Sequence, residues 1–143
     1  MDKLKQTLRN AGSSLRHTWW RQRLGALGAS ADLQPGAHFE YPGNIRIGDE
    51  CRVARQTVIR ANSERRPGIE IGPGVSIQEF TLINANRGFI AIGDGSWVGP
   101  NSVIYGNGGV TIGRNVMMAS HCVINTVSHH SSRTDIPMRD QGL

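Results

Sequence analysis

Cysteine is nearly absent from this chain: 143 residues contain only Cys51 and Cys122. Two cannot supply the framework of a disulfide-stapled secreted domain. Aromatic residues make up 6% and charged residues 19%, so a helical bundle rich in Ala, Glu, Lys and Leu is a poor fit. Apolar runs extend only a few residues, far short of a membrane span. The opening MDKLKQTLRN has no apolar stretch of signal-peptide type, which makes the cytoplasm the default compartment. What the chain has in excess is Gly, with 18 residues, the mark of a turn-rich, coil-stacked protein.

Net positive charge is missing from most of the chain as well. Residues 1–30 hold Lys3, Lys5, Arg9, Arg16, Arg21 and Arg23 against Asp2 alone, while in residues 31–143 ten Arg offset ten acids. The net charge of +5 therefore belongs to a terminal segment. No basic face with a nucleic-acid-binding module is present, and that class is set aside. Residues 3–23 read as a helix with Leu4, Leu8, Ala11, Leu15 and Trp19 near one face, interrupted at Gly12-Ser13-Ser14 into two short pieces. Two roles compete for residues 1–30. One is an interfacial helix lying on anionic lipid at the inner membrane surface. The other is a helix packed over the open first coil of the unit that follows.

That unit, residues 31–143, is periodic. Ile-Gly recurs at 47–48, 71–72, 92–93 and 112–113, and stepping six and twelve from each Ile lands on an aliphatic residue or Met every time. The four sets are Ile47, Val53, Ile59; Ile71, Ile77, Ile83; Ile92, Val98, Ile104; and Ile112, Met118, Ile124. Four residues after the first and second member of each set stands a small residue: Cys51, Thr57, Val75, Thr81, Ser96, Ser102, Val116 and Cys122. One large apolar and one small residue per six describe a triangular coil, with the aliphatic side chain inside the prism and the small one at a tight corner. The fold class is all-β, a parallel β-helix of hexapeptide repeats with a short N-terminal helix. The Ile-Gly pairs are spaced by 24, 21 and 20 residues rather than 18. The surplus falls after the third hexad, at SERRPG, NRG and YGNGG, and predicts loops along one edge, where repeat proteins carry function. Upstream, AHFEYPGNIRIG reads as a partial first coil with Phe39 and Ile45 inward.

The stretch GGVTIGRNVMMASHCVINTVSHHSSRTDIPMRDQGL resembles the hexapeptide-repeat O-acetyltransferases, the maltose/galactoside acetyltransferase-like group with its polysaccharide and lipopolysaccharide acetylases. The resemblance covers roughly residues 35–143. It implies left-handed coils, a homotrimer with active sites between subunits, and acetyl transfer from acetyl-CoA to a hydroxyl of a saccharide acceptor. His129, five residues beyond Ile124, matches the family's catalytic His. A sugar hydroxyl is a poor nucleophile at neutral pH, and an imidazole is suited to take its proton during attack. His130 is read as assisting or binding substrate. Some members place an Asn at the position of Gly99; Asn101, two residues on, is expected on the same strand face and substitutes for it in orienting the sugar. His121 points outward by strand parity and is read as lining a neighbouring subunit's cleft, against the plainer reading of an exposed strand position. Trp97 and Met117 are outward by the same parity. Cys51 and Cys122 occupy small-residue corners and read as packing. No metal is expected: hexapeptide-repeat carbonic anhydrases converge His ligands from separate coils, whereas here the His cluster lies in one loop and His38 is far from it. In the resembled family Gln-Gly-Leu leads into further coils that form most of the wall for CoA. Residues 125–143 hold no further hexad, so the chain is expected to lack those coils and to bind acetyl-CoA poorly. The rival reading is a non-catalytic β-helix fragment or assembly module.

Overall fold

The computed structural model describes residues 2–142, with side chains from Gly12 onward. A helix, α1 (Asp2–Arg21), precedes fifteen short strands that wind into five triangular coils. Face A of the prism contains β1 (Ala26–Leu27), β4 (Ile45–Ile47), β7 (Ile69–Ile71), β10 (Ile90–Ile92) and β13 (Val110–Ile112). Face B contains β2 (Asp32–Leu33), β5 (Arg52–Val53), β8 (Ser76–Ile77), β11 (Trp97–Val98) and β14 (Met117–Met118). Face C contains β3 (His38–Glu40), β6 (Val58–Arg60), β9 (Leu82–Asn84), β12 (Val103–Tyr105) and β15 (Val123–Asn125). All pairings are parallel, as the hexad pattern requires: the chain is a parallel β-helix.

The register lines up the aliphatic anchors. Val53, Ile77 and Val98 stack along face B, and Ile59, Ile83 and Ile104 along face C, all without solvent exposure. The small corner residues bond as well as fit. Thr57 and Thr81 Oγ1 donate to the carbonyls of Gln78 and Gly99, and Ser96 Oγ donates to Gly113, each on the next coil. A longer side chain there would have no room beneath the next turn.

The first coil is complete, not partial. Leu27, Leu33 and Phe39 take the anchor positions, pairing with Ile47, Val53 and Ile59, and all three are buried. Its first strand lies within residues 1–30, so the prism takes in part of the segment read as helical. Helix α1 is also continuous through Gly12-Ser13-Ser14. A helical Gly costs about 1 kcal/mol relative to Ala, which the docking of the helix offsets.

Among the described side chains, α1 docks through Arg16, His17 and Trp20 and not through Leu15 or Trp19. Trp20 is buried, edge-on to Phe39 with ring centroids 4.7 Å apart. Arg16 Nε donates to the Leu33 carbonyl at 2.6 Å, and His17 Nε2 to the Gly28 carbonyl at 2.9 Å. These carbonyls belong to the first coil, whose outer edge has no earlier strand to pair with. The helix covers that edge with polar donors and one indole, which is how an open sheet end is kept from associating. Leu15 and Trp19 point to solvent at 74% and 47% exposure; the side chains of Leu4, Leu8 and Ala11 lie outside the described residues. Among the described residues no helix is long and apolar enough to cross a membrane.

The surplus residues emerge where face C turns into face A, at 61–68, 85–89 and 106–109. One side chain fixes the longest of these loops. Buried Asn44 donates to the carbonyls of Ala61 and Ser63 and accepts from the Gly68 amide, at 2.9–3.1 Å.

Candidate active site

Chain order dictates where the candidate residues fall. Each coil runs from face A to B to C, so a residue just after a B strand sits at the B–C corner and one after a C strand at the C–A edge. His129 and His130 follow β15 and stand at the C–A edge of the last coil, exposed to solvent. Thr126 anchors the root of their loop: its Oγ1 donates to the Tyr105 carbonyl at 3.0 Å and accepts from the Gly108 amide at 2.9 Å.

The rest of the loop is closed by Gln141, a residue whose role the sequence did not reveal. Its Oε1 accepts from the Arg133 amide at 3.0 Å, while its Nε2 donates to the carbonyls of Arg133 and Ile136 at 2.7 and 3.2 Å. The His130 amide in turn donates to the Gly142 carbonyl at 3.2 Å. The Gln-Gly pair thus ties residues 130–142 into a ring, with His130 at its closure and His129 one residue before it. Within it Arg133 and Asp135 pair through their side chains, and the guanidinium holds the Asp135 carboxyl below its ordinary range. Spacing alone offers no sign of this, since an amide bonding eight residues back follows neither helix nor strand periodicity.

Asn101 and His121 lie elsewhere. Both are exposed turn residues at the B–C corner, with φ of 58° in the left-handed region. Their amides bond back one coil, to the carbonyls of Glu79 and Pro100, at 3.0 Å. The register of β11 on β14 places them directly above one another, with Phe80 and Gln56 continuing the column at the same φ. Asn101 is therefore a corner residue and not part of the strand face of Gly99. That face has no space for an Asn: a Cβ on Gly99 would meet the backbone of Ala119 and Ser120 at 2.5–2.6 Å. His121 does face outward, by its place in the turn.

The four candidates thus form two pairs, Asn101 with His121 and His129 with His130, separated by the width of face C at the last coil. A single chain does not bring them together. His38, on β3, is four coils from His129, roughly 19 Å at the ordinary strand spacing. Among the described residues no three His, Cys, Asp or Glu side chains form a group able to hold a metal ion. Buried Cys51 donates its Sγ hydrogen to the Gly72 carbonyl at 3.0 Å, and desolvation pushes its thiol above the ordinary range, as suits a packing residue.

Fold and site together define a parallel β-helix with an imidazole loop on one edge. A protein of Mycobacterium tuberculosis named "Probable acetyltransferase Rv3034c" is 33% identical over 75 residues, covering 52% of this chain. The match spans 25% of that protein's own length. No protein-family profile matches the chain. No solved structure matches it either.

Proposed function

We propose that the protein is an acetyl-CoA-dependent O-acetyltransferase acting on a hydroxyl of a saccharide or glycan precursor, with His129 as the general base. The observation that carries this reading is the exposed imidazole of His129 at an edge of a β-helix, one residue before the ring that Gln141 and Gly142 close. The name of the mycobacterial relative supports the reaction class. In the proposed step His129 takes the proton of the acceptor hydroxyl as its oxygen attacks the thioester carbonyl. The C–S bond breaks, and the imidazolium returns the proton to the departing thiolate. Holding the two substrates side by side supplies much of the remaining rate. The test is release of free thiol from acetyl-CoA with acetylation of an oligosaccharide by the full chain; no turnover with any saccharide would refute the reading.

The separation of the two residue pairs supports a site assembled between copies. A neighbouring chain that sets its B–C corner against the C–A edge brings Asn101 and His121 toward His129. The outward side chains of the last coil suit such a contact, with Met117 at 82% and Val123 at 69% exposure. The expected assembly is a homotrimer, as for three prisms sharing three edges. Light scattering at micromolar concentrations should give three times the 15.6 kDa chain mass; a monomer mass would exclude a shared site.

A further inference from the structure

The C–A edge also carries a cleft that the acyl-transfer reading does not use. It has a volume of about 550 Å³ and lies between the turns that close the first, second and third coils. Tyr41, Asn62, Ser63, Glu64, Arg66 and Arg87 are among the residues that line it. Three prism arginines are matched to an acid one coil away: Arg52 to Asp32, Arg60 to Glu40 and Arg114 to Asp94. Arg66 and Arg87 are exposed and have no carboxylate within 4.0 Å among the described residues. Glu64 is the one acid in the lining, against two guanidinium groups.

The backbone around them is held in place. The Arg87 amide donates to the Asn62 carbonyl at 2.7 Å, and Asn62 Oδ1 accepts from the Asn86 amide at 3.0 Å. Asn86 Nδ2 then donates to Asn107 Oδ1 at 2.9 Å, and Asn44 fixes the far wall. Neighbouring Arg65 is turned away, stacked 3.9 Å over the Phe89 ring. Two free guanidinium forks on ordered loops match the oxygens of a phosphate or pyrophosphate, which each fork can bind through two parallel N–H···O bonds.

We propose that this cleft binds a phosphate or pyrophosphate group, anchored by Arg66 and Arg87. Two sources share that chemistry: the phosphates of a nucleotide-bearing acyl donor, and the phosphate of a phosphorylated sugar acceptor. The turn at Arg87 is two coils from Thr126, roughly 10 Å along the same edge as the His129 loop. A ligand anchored in the cleft therefore extends toward that loop; this link rests on the acetyltransferase reading, whereas the phosphate site does not.

Inorganic pyrophosphate titrated calorimetrically into the full chain tests the site. Arg66→Gln and Arg87→Gln are each expected to weaken binding about tenfold, as loss of a charge-assisted bond implies. Arg55→Gln, at the exposed B–C corner, should leave it unchanged. Coenzyme A, dephospho-coenzyme A and glucose 1-phosphate then identify the source. Parallel loss of both coenzymes assigns the donor, loss of the sugar phosphate alone assigns the acceptor, and either supports the site. Pyrophosphate that does not bind, or binds the double variant as well as the parent, overturns it. Acetyl transfer with unchanged pyrophosphate binding removes the site and keeps the acetyltransferase reading; phosphate binding without acetyl transfer does the reverse.

Discussion

Replacing His129 with Ala is expected to lower acetyl transfer by roughly 10²–10⁴-fold while leaving the affinity for acetyl-CoA nearly unchanged, because a general base acts on the acceptor hydroxyl only as the bond forms. The fold should survive the change, since the imidazole is exposed and accepts no bond that holds the loop. His130→Ala is the internal control. The neighbouring residue contributes its backbone amide to the ring through Gly142, and Ala keeps that bond. A larger loss at His130 than at His129 would move the base by one position. Single-turnover measurement with acetyl-CoA in excess separates the chemical step from binding, and a pure rise in KM at His129 would mean that the side chain binds substrate and does not move its proton.

The prism was readable because hexad periodicity is a local rule repeated many times: Ile47, Ile71, Ile92 and Ile112 each announce a coil. The first coil is legible only in part for a narrow reason, that Leu27-Gly28 stands where the others have Ile-Gly. Its second signal was present, since Ala31 and Ala37 occupy the small positions four residues after Leu27 and Leu33. The docked face of α1 is not legible in the sequence, because apolar spacing finds a stripe but does not say what the stripe meets. The edge of the first coil offers free carbonyls, and Arg16 and His17 satisfy them better than Leu15 would. The corner conformations were also hidden. Asn101 and His121 are of types that lean toward positive φ, but Gln56 and Phe80 are not, so the column follows from stacking and not from residue type alone. Gln141 is the extreme case, a positioning residue whose partners are set by how the segment closes.

The second large effect is on stability, and its reach follows from the same stacking. Ile83 sits in the middle coil with Ile59 and Ile104 as its register partners, and all three have no exposed surface. Ile83→Ala should cost about 3–4 kcal/mol, because the ladders on either side hold the backbone at strand spacing and leave the prism little room to collapse into the cavity. That is a large fraction of the stability of a typical domain. In a solenoid each coil touches only its neighbours, so weakening the third coil uncouples the fourth and fifth from the rest. Those last coils are the least able to stand alone: Met118 and Ile124 are only partly buried, and Val110 and Ile112 are the most exposed of the face A anchors after β1. Hydrogen exchange should therefore show protection lost across β10–β15 while β1 to β6, backed by the helix, keep most of theirs. The His129 loop is rooted through Thr126 on Tyr105 and Gly108, so acetyl transfer should fall together with that protection, although the substitution lies two coils from the imidazole. Uniform loss of protection from β1 to β15 would show instead that the five coils unfold as one unit.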